Sequence, residues 1–427
     1  TCCYCGVGCG VLISTEGGRI VGVQGDPAHP ANRGRLCTKG ATLDQTLDPA
    51  SRLHYPERRP VRGEVGQRVS WDEALDQAAE RFAATIRQYG PDSVAFYVSG
   101  QLLTEDYYVF NKLAKGLIGT NNIDTNSRLC MSSAVAGYKL TLGADAPPCS
   151  YADIGQAGMI FIAGANPAVA HPIIFRAIED AKAANPALKI VVADPRRSES
   201  AEMADLHLPI RPGSDIALFN GMLHVLIRDG LVDRAYIDRH TRGFDELAGI
   251  VAHYTPPAVA EICGVPASDI EQAARWFGQS GPALSLYCQG LNQSAHGTHN
   301  NAALIHLHLA TGQIGKPGAG PFSLTGQPNA MGGREVGGMA NLLSAHRDLG
   351  NPQHRAEVAA LWGVPSVPEK PGKSAVELFE ALKSGEIRAV WIACTNPAHS
   401  LPHQSAVRAA LQAADYVVVQ EAFAHTD

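Results

Sequence analysis

One segment of this chain is written twice. Ile162-Ala163-Gly164-Ala165-Asn166-Pro167-Ala168 reappears as Ile392-Ala393-Cys394-Thr395-Asn396-Pro397-Ala398, each copy closing an apolar run, Met159–Ile162 and Ala389–Ile392. Each reaches a further proline, Pro172 and Pro402, and a helical stretch over about 171–185 and 403–414. Each ends in a second apolar run finishing on acid, Lys189–Asp194 and Tyr416–Glu421. Strand, turn, helix and strand make a βαβ unit. Two copies of the unit suggest doubly wound α/β architecture. Such units bind ligands at the carboxyl ends of their strands, where helix N-termini offer free N–H groups to phosphate. Two suggest two similar nucleotide-like ligands, or one large ligand gripped from both sides. The plainer reading is architecture without a ligand, since Asn-Pro after a strand is also ordinary turn chemistry.

The amino end carries a different signal. Cys2, Cys5, Cys9 and Cys37 are spaced C-x2-C-x3-C-x27-C, the last returning after an excursion punctuated by Gly17, Gly18, Gly22, Gly25, Pro27 and Pro30. Four thiolates suit a tetrahedral zinc or a cubane iron–sulfur cluster. The three-plus-one arrangement favours a [4Fe–4S] cluster over zinc, and either over a disulfide pair. Lys39, two residues beyond Cys37, is either a solvated charge or a cation held between the cluster and a second redox group.

At 427 residues the chain exceeds one ordinary core. The expected division is a [4Fe–4S] domain over 1–55, one α/β domain from 56–149 plus 325–427, and another over 150–324. A net charge of −6 argues against nucleic acid as a main partner. Ten cysteines, four of them in ligand spacing, fit a reducing, cytoplasmic compartment. No apolar run reaches the roughly 18 residues of a membrane span, and no signal peptide is visible. The opening on Thr1, directly before the first cysteine, reads as a trimmed start.

Along the chain, 44–68 reads as a surface connection. Ser70 with Glu73 makes a capping box for a helix ending at Gly90-Pro91, and Ser268 with Glu271 makes a second. Ser93–Gly100 and Leu284–Cys288 read as strands, 104–118 and 216–229 as helices. Cys130, flanked by small polar residues, is either a buried small hydrophobe or a ligand. Asp194-Pro195-Arg196-Arg197-Ser198 sits at a strand end, where an acid can accept from a ribose and arginines can neutralise pyrophosphate. Arg211-Pro212-Gly213-Ser214-Asp215 is a second loop of that type. His296, His299, His306 and His308 lack metal-ligand spacing and read as helix surface and packing. Residues 311–341, rich in Gly and Pro, read as an ordered, buried, functional loop.

Arg128-Leu129-Cys130-Met131-Ser132-Ser133, Gly290-Leu291-Asn292-Gln293, Cys37-Thr38-Lys39-Gly40 and the run from Gly326 through Arg334 to Gly338 carry a resemblance. With them, the whole chain resembles the molybdenum bis(molybdopterin guanine dinucleotide) oxidoreductases, and within them the assimilatory nitrate reductases. The resemblance implies a [4Fe–4S] cluster feeding electrons to molybdenum held by two dithiolene pterins and Cys130. It also implies that Lys39 lies between cluster and pterin, and that Gln101 and Asn126 contact pterin. Gly164, Ala165, Asn166, His171, Pro172, Asp194, Pro195, Arg196, Ser198, Gly213 and Asp215 would hold one guanine nucleotide. Gln293, Asn396, Gln420 and Glu421 would serve the other. Arg334 would guide an anionic substrate with its planar guanidinium. A further C-terminal domain closes over the pterins in such proteins, so the chain reads as a fragment that lacks it.

The substrate expectation rests on Met131. In related formate dehydrogenases a histidine follows the metal ligand and handles the proton of C–H cleavage. Methionine cannot. Reducing nitrate takes two electrons from a donor and two protons from water, with no side-chain base at the metal. Ferredoxin, an NAD(P)H-dependent flavoprotein or an extra domain would supply the electrons. The rival expectations are a formate dehydrogenase-like oxidoreductase and a non-enzymatic electron-relay subunit of the same fold.

Overall fold

The computed structural model describes residues 1–47, 50, 52–424 and 426–427. Positions 48, 49 and 51 of the 44–68 connection lie outside the described residues. The cysteine excursion folds as a two-stranded sheet of β1 (Val11–Glu16) and β2 (Arg19–Gly25). Its turn uses Gly17 and Gly18 at φ 56° and 76°, the paired left-handed conformation that a tight hairpin demands. The connection holds the short antiparallel pair β3 (Glu57–Arg58) and β4 (Gln67–Arg68).

Two parallel sheets follow. One has β5 (Val94–Val98), β6 (Ile123–Thr125), β12 (Ala389–Ala393) and β13 (Tyr416–Gln420), in the order β13-β12-β5-β6. The other has β7 (Met159–Ala163), β8 (Lys189–Ala193), β9 (Leu206–Leu208), β10 (Ala283–Tyr287) and β11 (Gly320–Ser323), in the order β11-β10-β7-β8-β9. β12 matches β7 and β13 matches β8, the repeat seen in the sequence. β5 and β6 then match β10 and β11 in space, although they precede the repeat in one sheet and follow it in the other. The two sheets therefore share one strand order written in two chain orders. In each, successive connections leave in opposite directions from one pair, β7 beside β10 and β12 beside β5. That is a topological switch point.

The chain divides into two compact units: residues 1–12, 24–41 and 130–326 in the first, and 13–23, 42–129 and 327–427 in the second. The expected boundary near 150 differs from the one observed at 129/130. The reason is local packing: the Ser132–Leu142 helix lies on the Gly297–Ala310 helix, and Tyr138 donates through its hydroxyl to the Pro321 carbonyl at 2.9 Å. The cysteine segment likewise packs with the first unit rather than standing alone.

In the first unit each strand face has its own core. Ile160, Ile162, Ile190, Val192, Leu284 and Leu286 pack against Ile173, Ile174 and Ile178 of the Pro172–Ala184 helix and against Cys2, Val7 and Cys9. Phe161, Val191 and Tyr287 meet the helices Asp215–Arg228, Ala267–Gln279 and Gly297–Ala310 on the other face. Period-two alternation of apolar side chains, buried on both faces, is what a central parallel strand requires. In the second unit Ala95, Tyr97, Val390 and Ile392 pack with the helices Ala375–Ser384 and Gln404–Ala413, while Val94, Phe96 and Trp391 pack with Phe82 of the Trp71–Tyr89 helix.

Several local expectations need correction. Ser70 and Glu73 form their capping box, but Ser268 and Glu271 do not: Pro266 is the N-cap, and the Ser268 hydroxyl turns to Asp269 at 3.2 Å. The 104–118 stretch is an α-helix to Asn111 and a π-helix from Lys112 to Ile118. Residues 311–341 contain β11 and the Ala330–Glu335 helix. Of the surface and packing expected for the histidines, His308 is packing: it is fully buried, its Nε2 2.7 Å from Ser285 Oγ, and burial depresses its pKa to about 3.

Candidate cofactor and metal site

Cys2, Cys5, Cys9 and Cys37 line one cavity, closed by Val7, Leu36, Pro172 and Ile173. Local bonds shape it. The Cys2 N–H donates to the Cys9 carbonyl at 2.8 Å, folding the three near cysteines into a loop. Asn32, buried, receives the Gly10 N–H at 2.8 Å and donates to the Gly10 and Arg35 carbonyls, so it staples the first three cysteines to the segment carrying the fourth. The Tyr151 hydroxyl donates to the Gly6 and Val7 carbonyls at 3.2 Å. Gly6 is required by contact: a Cβ there would lie 2.2 Å from the Thr325 carbonyl oxygen.

Among the described residues no trio of His, Cys, Asp or Glu side chains converges as a single metal ion needs. Four sulfurs set around a shared cavity fit a polynuclear cluster better than zinc. Burial and the neighbouring Cys5, Cys2 and Cys37 push the Cys9 thiol up to about 12. Cys3, exposed, lies outside this cavity's lining. Lys39 is exposed on the short Thr38–Ala41 helix directly after Cys37. Its charge lowers Cys5, whose thiol is raised chiefly by burial, and it adds to the burial that lowers His171. His171 is buried, its Nε2 2.7 Å from the Thr325 carbonyl. The structure thus brings Lys39, His171 and Pro172 beside the cysteines.

Cys130 follows the Asn126–Leu129 turn, half-buried at the margin of the first unit's helical core and not sealed within it. Gln289 Nε2 donates to its Sγ at 2.7 Å. Met131 is 3% exposed and belongs to the core. No local sequence signal marked Gln289, which lies 159 positions away.

The remaining first-unit candidates collect at the carboxyl ends of β7, β8 and β9. Gly164 adopts φ 54° and abuts Gly290: a Cβ on either would come within 3 Å of the other's backbone. Asn166 caps the Pro167–Ala170 helix, donates to Glu199 at 2.8 Å and accepts from Ser200 at 2.7 Å. Asp194 Oδ1 accepts the Arg196 N–H at 2.9 Å, forming the turn that leaves Pro195, Arg196 and Arg197 exposed. Ser198 Oγ is buried with no hydrogen-bond partner, a vacancy of pairing that a ligand oxygen would fill. Gly213, at φ 85°, borders open space. Asp215 opens the Asp215–Arg228 helix, its carboxyl raised by burial and by Asp194. Gln293 is exposed just beyond the Gln289–Asn292 turn.

In the second unit Asn126 links three strand ends. Its Oδ1 accepts from the Gly100 N–H at 2.8 Å and from Gln327 Nε2 at 2.9 Å, and its Nδ2 donates to Thr395 Oγ1 at 3.0 Å. Gln101 is exposed beside it. Asn396 donates to Asp427 at 3.0 Å, Gln420 Oε1 accepts from Trp391 at 3.2 Å, and Glu421 accepts its neighbour's N–H at 2.6 Å. Arg334 is 5% exposed on the Ala330–Glu335 helix. Sequence reasoning missed the frame behind it. Lys115, wholly buried, donates to the carbonyls of Gly337, Met339 and Leu342 at 2.7–2.8 Å. The buried Asp124 binds Arg128 at 2.9 Å, and Arg128 reaches Asn341 at 2.8 Å.

Residues 1–49 match the model of the molybdopterin oxidoreductase Fe4S4 domain, and residues 52–427 that of the molybdopterin oxidoreductases. A nitrate reductase of Synechocystis sp. is 44% identical over 100% of this chain and 61% of its own length. A periplasmic nitrate reductase of Desulfovibrio desulfuricans is 46% identical over 99% of the chain and 58% of its own length. The chain therefore spans about three fifths of these relatives. Acetylene hydratase from Pelobacter acetylenicus superposes with a TM-score of 0.79 at 24% identity, over 99% of this chain and 60% of that one, a likeness of fold. Among the described residues no helix is long and apolar enough to cross a membrane.

Proposed function

The chain belongs to the molybdopterin oxidoreductase family, and on that premise we propose that it is the cofactor-holding part of an enzyme that reduces nitrate to nitrite. A [4Fe–4S] cluster, molybdenum and molybdopterin are the cofactors of this class. The four-cysteine cavity suits the cluster, and the half-buried Cys130 sulfur, facing a donor N–H, suits a soft metal. When bound, molybdenum supplies the centre that exchanges an oxygen atom and two electrons. The reaction balances as nitrate plus two electrons and two protons giving nitrite and water.

The observation that carries the substrate is what stands beside Cys130. Met131 is buried and offers no proton acceptor, which suits oxygen-atom removal and not C–H cleavage. Arg334, in the second unit, is the proposed guide for the anion, since a guanidinium matches a planar oxyanion in shape and charge. Lys39 holds a positive charge beside Cys5 that lowers the cost of an electron passing between the cluster and a pterin. The first unit's Gly164, Asn166, Asp194–Ser198 and Gly213–Asp215 loops hold one guanine dinucleotide, and the unpaired Ser198 hydroxyl supports that placement. Gln101 and Asn126 contact pterin, and Gln293, Asn396, Gln420 and Glu421 serve the other dinucleotide. Electrons enter through the cluster from a donor such as ferredoxin or an NAD(P)H-dependent flavoprotein. Ten cysteines, four of them in ligand spacing, support a cytoplasmic, assimilatory role, in contrast to the relative named as periplasmic.

The test uses the full-length protein with a reduced viologen dye. Cys130→Ala should lose molybdenum and nitrate reduction while keeping the cluster's visible absorbance. Full molybdenum content in that variant would overturn the ligand assignment. Turnover of formate but not nitrate by the wild type would overturn the substrate.

A further inference from the structure

Gln289 opens the turn after β10, on one side of the first unit's switch point. Its side-chain amide is held by sulfur at both ends. Nε2 donates to Cys130 Sγ at 2.7 Å, while Oε1 accepts from the Cys288 thiol, which also contacts the Leu324 carbonyl at 3.2 Å. A carboxamide can be turned either way, and the hydrogen bonds at its two ends decide which. A thiol that brings a proton to Oε1 leaves the N–H₂ pointing at Cys130. The backbone beneath it is fixed as well: the Gly290 N–H donates to the Gly164 carbonyl at 2.9 Å, and Gln293 N–H to the Gln289 carbonyl at 2.8 Å. Gln289 is thus aimed at one sulfur from a rigid base.

We propose that Gln289 is the residue that positions and tunes the Cys130 thiolate, donating an N–H to the sulfur that binds the metal, with Cys288 setting the direction of its amide. The inference rests on Cys130 as the molybdenum ligand. A hydrogen bond to a metal-bound thiolate draws electron density from sulfur, weakens its donation and raises the reduction potential of the metal. Gln289→Leu keeps the bulk and removes the donor. Gln289→Glu turns an acceptor toward the sulfur instead.

In the full-length holoenzyme, molybdenum content, the electron paramagnetic resonance spectrum of molybdenum and the midpoint potential of its one-electron couple are measured. Gln289→Leu should keep molybdenum, change the resonance spectrum and shift the couple tenfold toward the oxidised form, about 59 mV more negative for one electron. Gln289→Glu should shift it further in the same direction. Cys288→Ala, which leaves the amide but frees it to turn, should shift it less and with the same sign. Should Gln289→Leu lose molybdenum, Cys288→Ala is read in its place. A spectrum and potential identical to wild type in the loaded variant overturn the role of Gln289 and leave Cys130 standing. Cys130→Ala with its molybdenum intact overturns both.

Discussion

The turn after β7 and the turn after β12 follow one backbone path with different side chains. Gly164 and Cys394 occupy the same place in the two repeats, at φ 54° and 55°. Each donates its N–H to the last residue of the neighbouring strand, Ala193 at 3.0 Å and Gln420 at 2.8 Å. Two positions later Asn166 and Asn396 cap matching short helices at φ −121° and −115°. Parallel strand, turn and helix impose the path; what packs across the turn selects the residue. In the first unit Gly290 presses its backbone against Gly164, so no side chain fits. In the second, Cys394 faces outward, and the strand ends are joined by the side chain of Asn126. One switch point is sealed by backbone, the other by an amide.

This contrast breaks most sharply at Gly164. A Cβ there would lie 2.8 Å from Leu291 Cδ1 and 2.9 Å from the Gly290 backbone, at a left-handed φ. Gly164→Val should destabilise the first unit by about 3 kcal/mol or more, through overpacking and backbone strain together. Cys394→Ala, the small change at the matching position, should stay within about 0.5 kcal/mol. Urea denaturation of both variants is the measurement; equal losses would mean that the two turns are not constrained as described.

The units also differ in the most deeply buried basic group of each. His308 in the first is lowered to about 3 by burial, so it is neutral at working pH and folding costs it no charge. Lys115 in the second is lowered by burial to about 7 from 10.5, with Asp124 opposing and Arg128 adding. The unfolded chain therefore binds the extra proton between those values, and stability should rise with pH from about 7 toward 10. The penalty is fully present below pH 7 and absent above 10.5. Lys115→Met should remove that rise. Its effect should be most favourable near pH 7, where the penalty it removes is largest, and least favourable toward pH 10, where only the loss of the donor to three carbonyls remains. Denaturation at pH 7 and 9.5 measures both effects, and a pH slope that survives the substitution would assign it elsewhere.

What could be read from the sequence was whatever is local. The cysteine spacing placed four thiols on one cavity, because three of them sit within one turn of chain. The repeated strands were found within a residue of their ends, because a parallel strand buried on both faces is a short apolar run. The Ser70 box formed, whereas Pro266 displaced the one expected at Ser268, since proline already suits a helix start. The burial of His308 had no signal: its helix is buried on nearly every side, so no polar face marks where the histidine points. Gln289 against Cys130, and Lys115 under the 337–342 carbonyls, join positions 159 and more than 220 residues apart. No spacing encodes them. They are products of the switch point and the π-helical turn that carry them.

The smallest expected effect is the finest test of the contrast. A side chain in the left-handed region costs about 1–2 kcal/mol, and Cys394 bears that cost in the open, where no contact demands the side chain. Cys394→Gly would relieve the strain but free the unfolded chain, which offsets about 0.4–1 kcal/mol. The net should be stabilising by roughly 0.5 kcal/mol, a rise in melting temperature of about 1–2 °C for a unit of this size. Partial burial, Glu421 and Asp106 raise the Cys394 thiol, so its removal forfeits no ion pair. Calorimetry of the variant beside wild type reads the difference. A lowered melting temperature would mean that the Cys394 side chain itself holds the turn, as Asn126 holds its neighbours.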